Sequence, residues 1–75
     1  MRILLVDDHA LFRDGVALLL KELDPAVQTV HAAHLEEALA ALDHDTGIDL
    51  VLLDLILPGA NGFQALETIR ERHPG

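Results

Sequence analysis

Three aspartates, Asp7, Asp8 and Asp54, are the residues of this chain best suited to chemistry. Asp54 ends the apolar run Leu50-Val51-Leu52-Leu53. A carboxylate at the exit of a buried strand is costly to ionise unless a cation or a donor favours the charge. Alone, it could do no more than cap a turn. Asp7 and Asp8 follow a second apolar run, Ile3-Leu4-Leu5-Val6, and alone they could cap the helix that comes next. Brought together, the three acids change meaning. Two carboxylates about 4 Å apart repel by roughly 4 kcal/mol at an effective dielectric near 20, which calls for a cation or a shared proton. With no Cys and no paired His, all-oxygen ligation points to Mg²⁺ before zinc or copper. A carboxylate is also a competent nucleophile towards phosphorus, and phosphoryl transfer needs little beyond in-line placement and charge neutralisation. Asp54 as acceptor, with Asp7 and Asp8 holding the ion, is a sufficient set of parts. A phosphoacceptor or a metal-dependent phosphohydrolase could be built from it.

The elements must bring these acids to one place. Residues 3–6 read as a short buried strand. Phe12, Val16, Leu19, Leu20 and Leu23 fall on one face of a helix that Asp24-Pro25 ends. Gly15 inside that helix suggests close packing. Residues 27–32 give a weaker second strand, diluted by Gln28, Thr29 and His31. Leu35, Ala38, Leu39 and Leu42 mark a second amphipathic helix, with Glu36 and Glu37 at its positive end. After the polar turn 43–47 comes the third strand, expected to be buried on both faces. A loop at Pro58 to Gly62 and a helix carrying Phe63, Leu66 and Ile69 follow, with Arg70 and Arg72 in the last turn. Pro74-Gly75 closes that helix. Alternating strands and helices argue for a parallel sheet with right-handed crossovers. If strands one and three are neighbours, their carboxyl ends share a rim and the acids converge.

Composition narrows the function. Thirteen acidic against five basic side chains give a net charge of −8. This disfavours contact with nucleic acid or anionic lipid, which needs clustered Lys and Arg. Only four apolar positions separate Arg2 from Asp7, too few for a signal-peptide core or a membrane span, so a cytoplasmic location is the default. The core must be aliphatic, because the aromatic residues are two Phe. His9 beside Asp8 reads as a solvent-facing first-turn residue rather than a ligand.

Val6-Asp7-Asp8-His9 with Leu11-Phe12-Arg13-Asp14-Gly15, and then residues 49–55 with Pro58-Gly59 and Gly62, resemble a two-component response-regulator receiver domain. The first segment looks most like receivers of regulators that carry a helix-turn-helix output domain. The resemblance runs from residue 1 to about 72. It implies an α/β, flavodoxin-like (receiver-type) fold, here βαβαβα with a three-stranded parallel sheet of order 2-1-3. It also implies Asp54 as phosphoacceptor, Asp8 as a direct Mg²⁺ ligand, Asp7 acting largely through water, and the backbone carbonyl of Ile56 completing the coordination. Pro58 and Gly62 would shape the loop leaving the site. The donor would be a sensor histidine kinase or a small acyl phosphate. Receivers of this family have five strands, with a hydroxyl residue after the fourth and a Lys after the fifth. Residues 1–75 read as the amino-terminal part of such a domain, with no second domain and an incomplete fold. Lys21, Thr46 and Thr68 stand in the wrong places to substitute. Phosphoryl acceptance is therefore expected to be impaired.

Two rival readings remain from the residues. In the 2-1-3 order the third strand is an edge, and a long apolar edge invites pairing with another chain. A homodimer joined through that strand, order 2-1-3-3′-1′-2′, is expected, and a non-catalytic interaction fragment would need nothing more. A phosphohydrolase fits less well, because Ile56 stands where a second acid would protonate the leaving group.

Overall fold

Alternation in the first strand decides the layering. In β1 (Arg2–Val6), Ile3 and Leu5 point to one face of the sheet and Leu4 and Val6 to the other, and all four are buried. The computed structural model describes the backbone of residues 1–54, 56–57 and 60–74 and the side chains of residues 1–54 and 64–74. Leu55, Pro58, Gly59 and Gly75 lie outside the described residues, so the expectations placed on Pro58 and on the closing Gly75 go untested.

β1 pairs in parallel with β2 (Gln28–Ala32) on one side and with β3 (Leu50–Leu53) on the other. The sheet therefore has the expected order, 2-1-3. Val6 stands in register with both Ala32 and Leu53. The carboxyl ends of all three strands thus reach the same rim.

The α1 helix (Ala10–Leu23) covers one face, packing Val16, Ala17 and Leu20 on Ile3, Leu5 and Val27. On the opposite face, α2 (Leu35–His44) and α3 (Gly62–Arg72) enclose Leu4 and Val6 with Ala32, Ala38, Leu42, Ala65 and Ile69. His34 caps α2, its Nδ1 accepting from the Glu37 backbone N–H at 3.3 Å. Asp43 near the end of α2 holds the end of α3 through Arg72 (2.6 Å) and His73 (2.9 Å).

Four local expectations need correction. Asp8 does not cap α1; His9 is the N-cap residue, and its side chain makes no capping bond. Phe12, Leu19 and Leu23 of the anticipated apolar stripe are exposed, because the helix settles on the stripe's Val16 and Leu20 together with Ala17. Gly15 is not closely packed: a Cβ placed there would meet nothing within 4 Å. β3 is not buried on both faces, since Leu50 and Leu52 are exposed on the α1 side while Val51 and Leu53 pack on the other. In addition, the segment expected as a loop carries a small antiparallel pair, β4 (Ile56–Leu57) with β5 (Ala60–Asn61), directly before α3.

Candidate functional site

The sheet's last rungs fix two of the acids. The Asp7 backbone N–H donates to the Ala32 carbonyl at 3.0 Å, and the Asp54 N–H donates to the Val6 carbonyl at 2.9 Å. Asp7 and Asp54 are therefore the first residues past β1 and β3 on neighbouring strands. Their backbones are held by the ladder at the rim.

Asp8 and His9 complete the group. Asp7, Asp8, His9 and Asp54 each offer one ligand atom, and these atoms all lie within 4.8 Å of one another. Asp7 is buried, Asp54 half-buried, and Asp8 and His9 exposed. Asp7 Oδ1 accepts the His9 backbone N–H at 2.9 Å, a turn in which an aspartate bonds the backbone two residues on. The same oxygen lies 3.0 Å from His9 Nδ1, which also stands 3.0 Å from Asp8 Oδ1. The His9 backbone N–H, with help from its ring, holds the Asp7 carboxyl below its ordinary value, against burial that pushes it up. In return the hydrogen bond to Asp7, followed by the charge of Asp8, raises His9 above its ordinary value.

The sequence brought the three aspartates together correctly in space. It did not bring in His9, read there as merely solvent-facing. The imidazole is exposed, yet it bridges two of the acids. The available signal was its position directly after Asp8, where a turn folds its ring back on the strand end. Arg13, in the sequence only part of the motif, also reaches the rim. Its Nη1 donates to the Asp7 backbone carbonyl, and it lines an apolar groove of about 940 Å³ with Asp7, His9, Phe12, Leu53 and Asp54. Lys21 and Thr46 lie away from this rim, and Thr68 gives its hydroxyl to the Gln64 carbonyl of its own helix at 3.0 Å.

Three carboxylates this close are a poor arrangement for unpaired charge and a good one for a hard divalent cation. Oxygen donors dominate the set and sulfur is absent, so the residues fit Mg²⁺. Mg²⁺, where bound, supplies charge neutralisation for phosphoryl chemistry.

Comparison with known proteins agrees with this geometry. Residues 3–75 match the family model described as the response regulator receiver domain. The chain is 40% identical over 70 residues to the nitrate/nitrite response regulator protein NarL of Escherichia coli, spanning 93% of this chain and 32% of that protein. It is 34% identical over 73 residues to the glycerol metabolism activator of Pseudomonas putida, spanning 97% of this chain and 33% of the relative. The chain thus spans about a third of the length of these two regulators. Among solved structures, the response regulator protein TrrA from Thermotoga maritima, in complex with Mg²⁺-BeF, superposes with a TM-score of 0.84 at 33% identity. That match covers 97% of this chain and 61% of TrrA. A receiver domain protein from Clostridium thermocellum gives the same TM-score at 27% identity, covering 97% of this chain and 57% of its own.

Proposed function

The chain belongs to the response regulator receiver family of two-component signalling, and on that footing we propose that it accepts a phosphoryl group on Asp54. The observation that carries the proposal is the meeting of Asp7, Asp8 and Asp54 within 4.8 Å on one rim. In this reading one Asp54 carboxylate oxygen forms a P–O bond as the donor's P–N or P–O bond breaks. The electron pair leaves with the imidazole or carboxylate of the donor. Asp7, Asp8, the other Asp54 oxygen and the Ile56 backbone carbonyl are the groups proposed to hold Mg²⁺. Receiver domains partner with histidine kinases, and a sensor kinase is the donor we assign to this chain. The resemblance of residues 6–15 to receivers of helix-turn-helix regulators supports a parent regulator with a DNA-binding output, while the acidic segment itself is poorly charged for nucleic acid. No helix among the described residues is long and apolar enough to cross a membrane. A cytoplasmic location accompanies the proposed kinase donor.

The test is an intact mass after incubation with acetyl phosphate and Mg²⁺. Wild type is expected to gain one phosphoryl group, slowly and in part, and Asp54→Asn none. Mg²⁺ should also raise the melting temperature, as a ligand of the native state must. Absence of any mass gain, together with a melt indifferent to millimolar Mg²⁺, would remove the proposal.

A second reading has its own observation. Leu50 and Leu52 of β3 are exposed beside the groove, on a strand that pairs only with β1 among the described residues. We propose that two copies pair through these edges, joining their sheets antiparallel about a two-fold axis. Light scattering that finds a stable monomer at micromolar concentration would exclude it.

A further inference from the structure

We propose that Arg13 is the phosphoryl-binding cation of this site, its guanidinium taking the oxygens of the group carried by Asp54. The inference rests on the phosphoacceptor reading. The phosphoryl group carries nearly two negative charges, about one more than the Asp54 carboxylate it replaces, on a rim already holding Asp7 and Asp8. Acids that grip a divalent ion spend much of its charge on themselves, so a further cation facing the phosphoryl oxygens is needed.

Two side chains lining the groove beside Asp54 can carry positive charge, His9 and Arg13. His9 is already engaged, with Nδ1 3.0 Å from Asp7 and 3.0 Å from Asp8. Arg13 is held differently. Its Nη1 is anchored on the Asp7 backbone carbonyl, so the guanidinium is fixed at the end of β1 without cancelling an acid. Its Nε–H is buried and finds no acceptor among the described residues. Among the described residues the ion pairs join other partners: Arg2 with Asp45, Arg72 and His73 with Asp43, and His34 with Glu37. A buried N–H without an acceptor is an unfavourable state, and a planar fork of five donors suits an anion with several oxygens. Arg binds such anions in two-pronged fashion, with directional bonds a Lys cannot reproduce. Among the described residues there is no nearer substitute, because Lys21 lies in the last turn of α1 and Thr68 bonds its own helix.

The experiment uses beryllium fluoride with Mg²⁺ as the phosphoryl mimic, read by ¹⁹F NMR on the 75-residue chain. Affinity for Mg²⁺ alone is measured in parallel. Arg13→Ala is expected to weaken the mimic by about tenfold or more. The same change should leave Mg²⁺ affinity unchanged or raise it by about two- to fivefold, because a cation next to a dication has been removed. Opposite signs are what a merely structural residue would not produce. Arg13→Lys should retain more mimic binding than Arg13→Gln, which keeps a donor for the Asp7 carbonyl but no charge. Equal mimic affinity in wild type and Arg13→Ala would overturn the inference and leave the phosphoacceptor reading standing. A parallel loss of mimic and Mg²⁺ affinity would reduce Arg13 to a structural part and overturn it too. Wild type that binds no mimic, like Asp54→Asn, would remove both readings together.

Discussion

The two faces of the sheet start from the same alternation in β1 and finish differently. Towards α2 and α3, Leu4 and Val6 are 0% and 1% exposed, closed over by small and medium residues of both helices. Towards α1, Ile3 and Leu5 are buried, but Leu11 and Leu23 of the helix are 85% and 83% exposed and Leu50 and Leu52 stand open beside them. Geometry explains the contrast. Strands lie about 4.8 Å apart and a helix is about 10 Å across, so one helix covers roughly two strands. α1 covers β1 and the start of β2 and leaves β3 bare, whereas two helices suffice for three strands on the other side. A finished core and an open groove therefore share one sheet, and the acid site sits at the rim where the two meet.

The largest expected effect breaks the finished face. Leu4→Ala should lose about 2–5 kcal/mol, from lost burial plus the cavity left in a packed site. For a domain this small, that approaches the whole margin of stability. Leu52→Ala, on the open side, should cost less than about 1 kcal/mol. Urea denaturation followed by circular dichroism compares them directly. Similar losses at the two positions would mean that the groove is covered in solution.

A smaller effect sharpens the open face in the stabilising direction. Gly15→Ala should gain up to about 1 kcal/mol, because Gly is the poorer helix former and the added methyl meets nothing. A loss would show that something packs against Gly15 in solution. Smaller still, Leu19→Gln and Leu23→Gln should stay within about 0.5 kcal/mol of wild type, as exposed substitutions do. Any change in light scattering from these two would place α1 in the contact between copies, rather than β3 alone.

How far the sequence could be read follows the same division. The apolar runs ending in Asp7 and Asp54, and the amphipathic stretches between them, were enough to give parallel strands with helical crossovers, while the 2-1-3 order that puts both acids on one rim came from the receiver resemblance. The second helix was legible because Ala38 and Leu42 repeat at helical spacing and both are buried. α1 misled for a physical reason. Its apolar residues extend more than half-way round the helix, so periodicity could not choose which of them meet the sheet, and Val16, Ala17 and Leu20 do. The β4–β5 pair is not legible because two-residue strands carry no periodicity. His9 and Arg13 escaped because their partners are an adjacent carboxylate and a backbone carbonyl. Neither contact has a signature in residue spacing.

The least of the expected effects concerns protons at the rim. His9 is raised above 6.5 by its bond to Asp7 and by the charge of Asp8, and Asp7 is lowered below 3.8 chiefly by the His9 backbone N–H. For His9, a raised folded value means that the stabilisation is full below the unfolded value and is lost as pH rises through the folded one. For Asp7, a lowered folded value means that it is full above the unfolded value and is lost as pH falls through the folded one. The pair contributes most between the two ordinary values, 3.8 and 6.5. Raising the pH from about 6 to about 8 should thus lower the melting temperature slightly in wild type, and less in His9→Asn, which keeps a neutral donor. Titration of the His9 Cε1 proton by NMR should give a midpoint above 6.5 without metal. Saturating Mg²⁺ should bring that midpoint down, because a dication among the same carboxylates repels the imidazolium. A midpoint that Mg²⁺ leaves unmoved would separate His9 from the acids electrostatically. The rim would then hold its cation without the imidazole, and the contrast between faces would rest on packing alone.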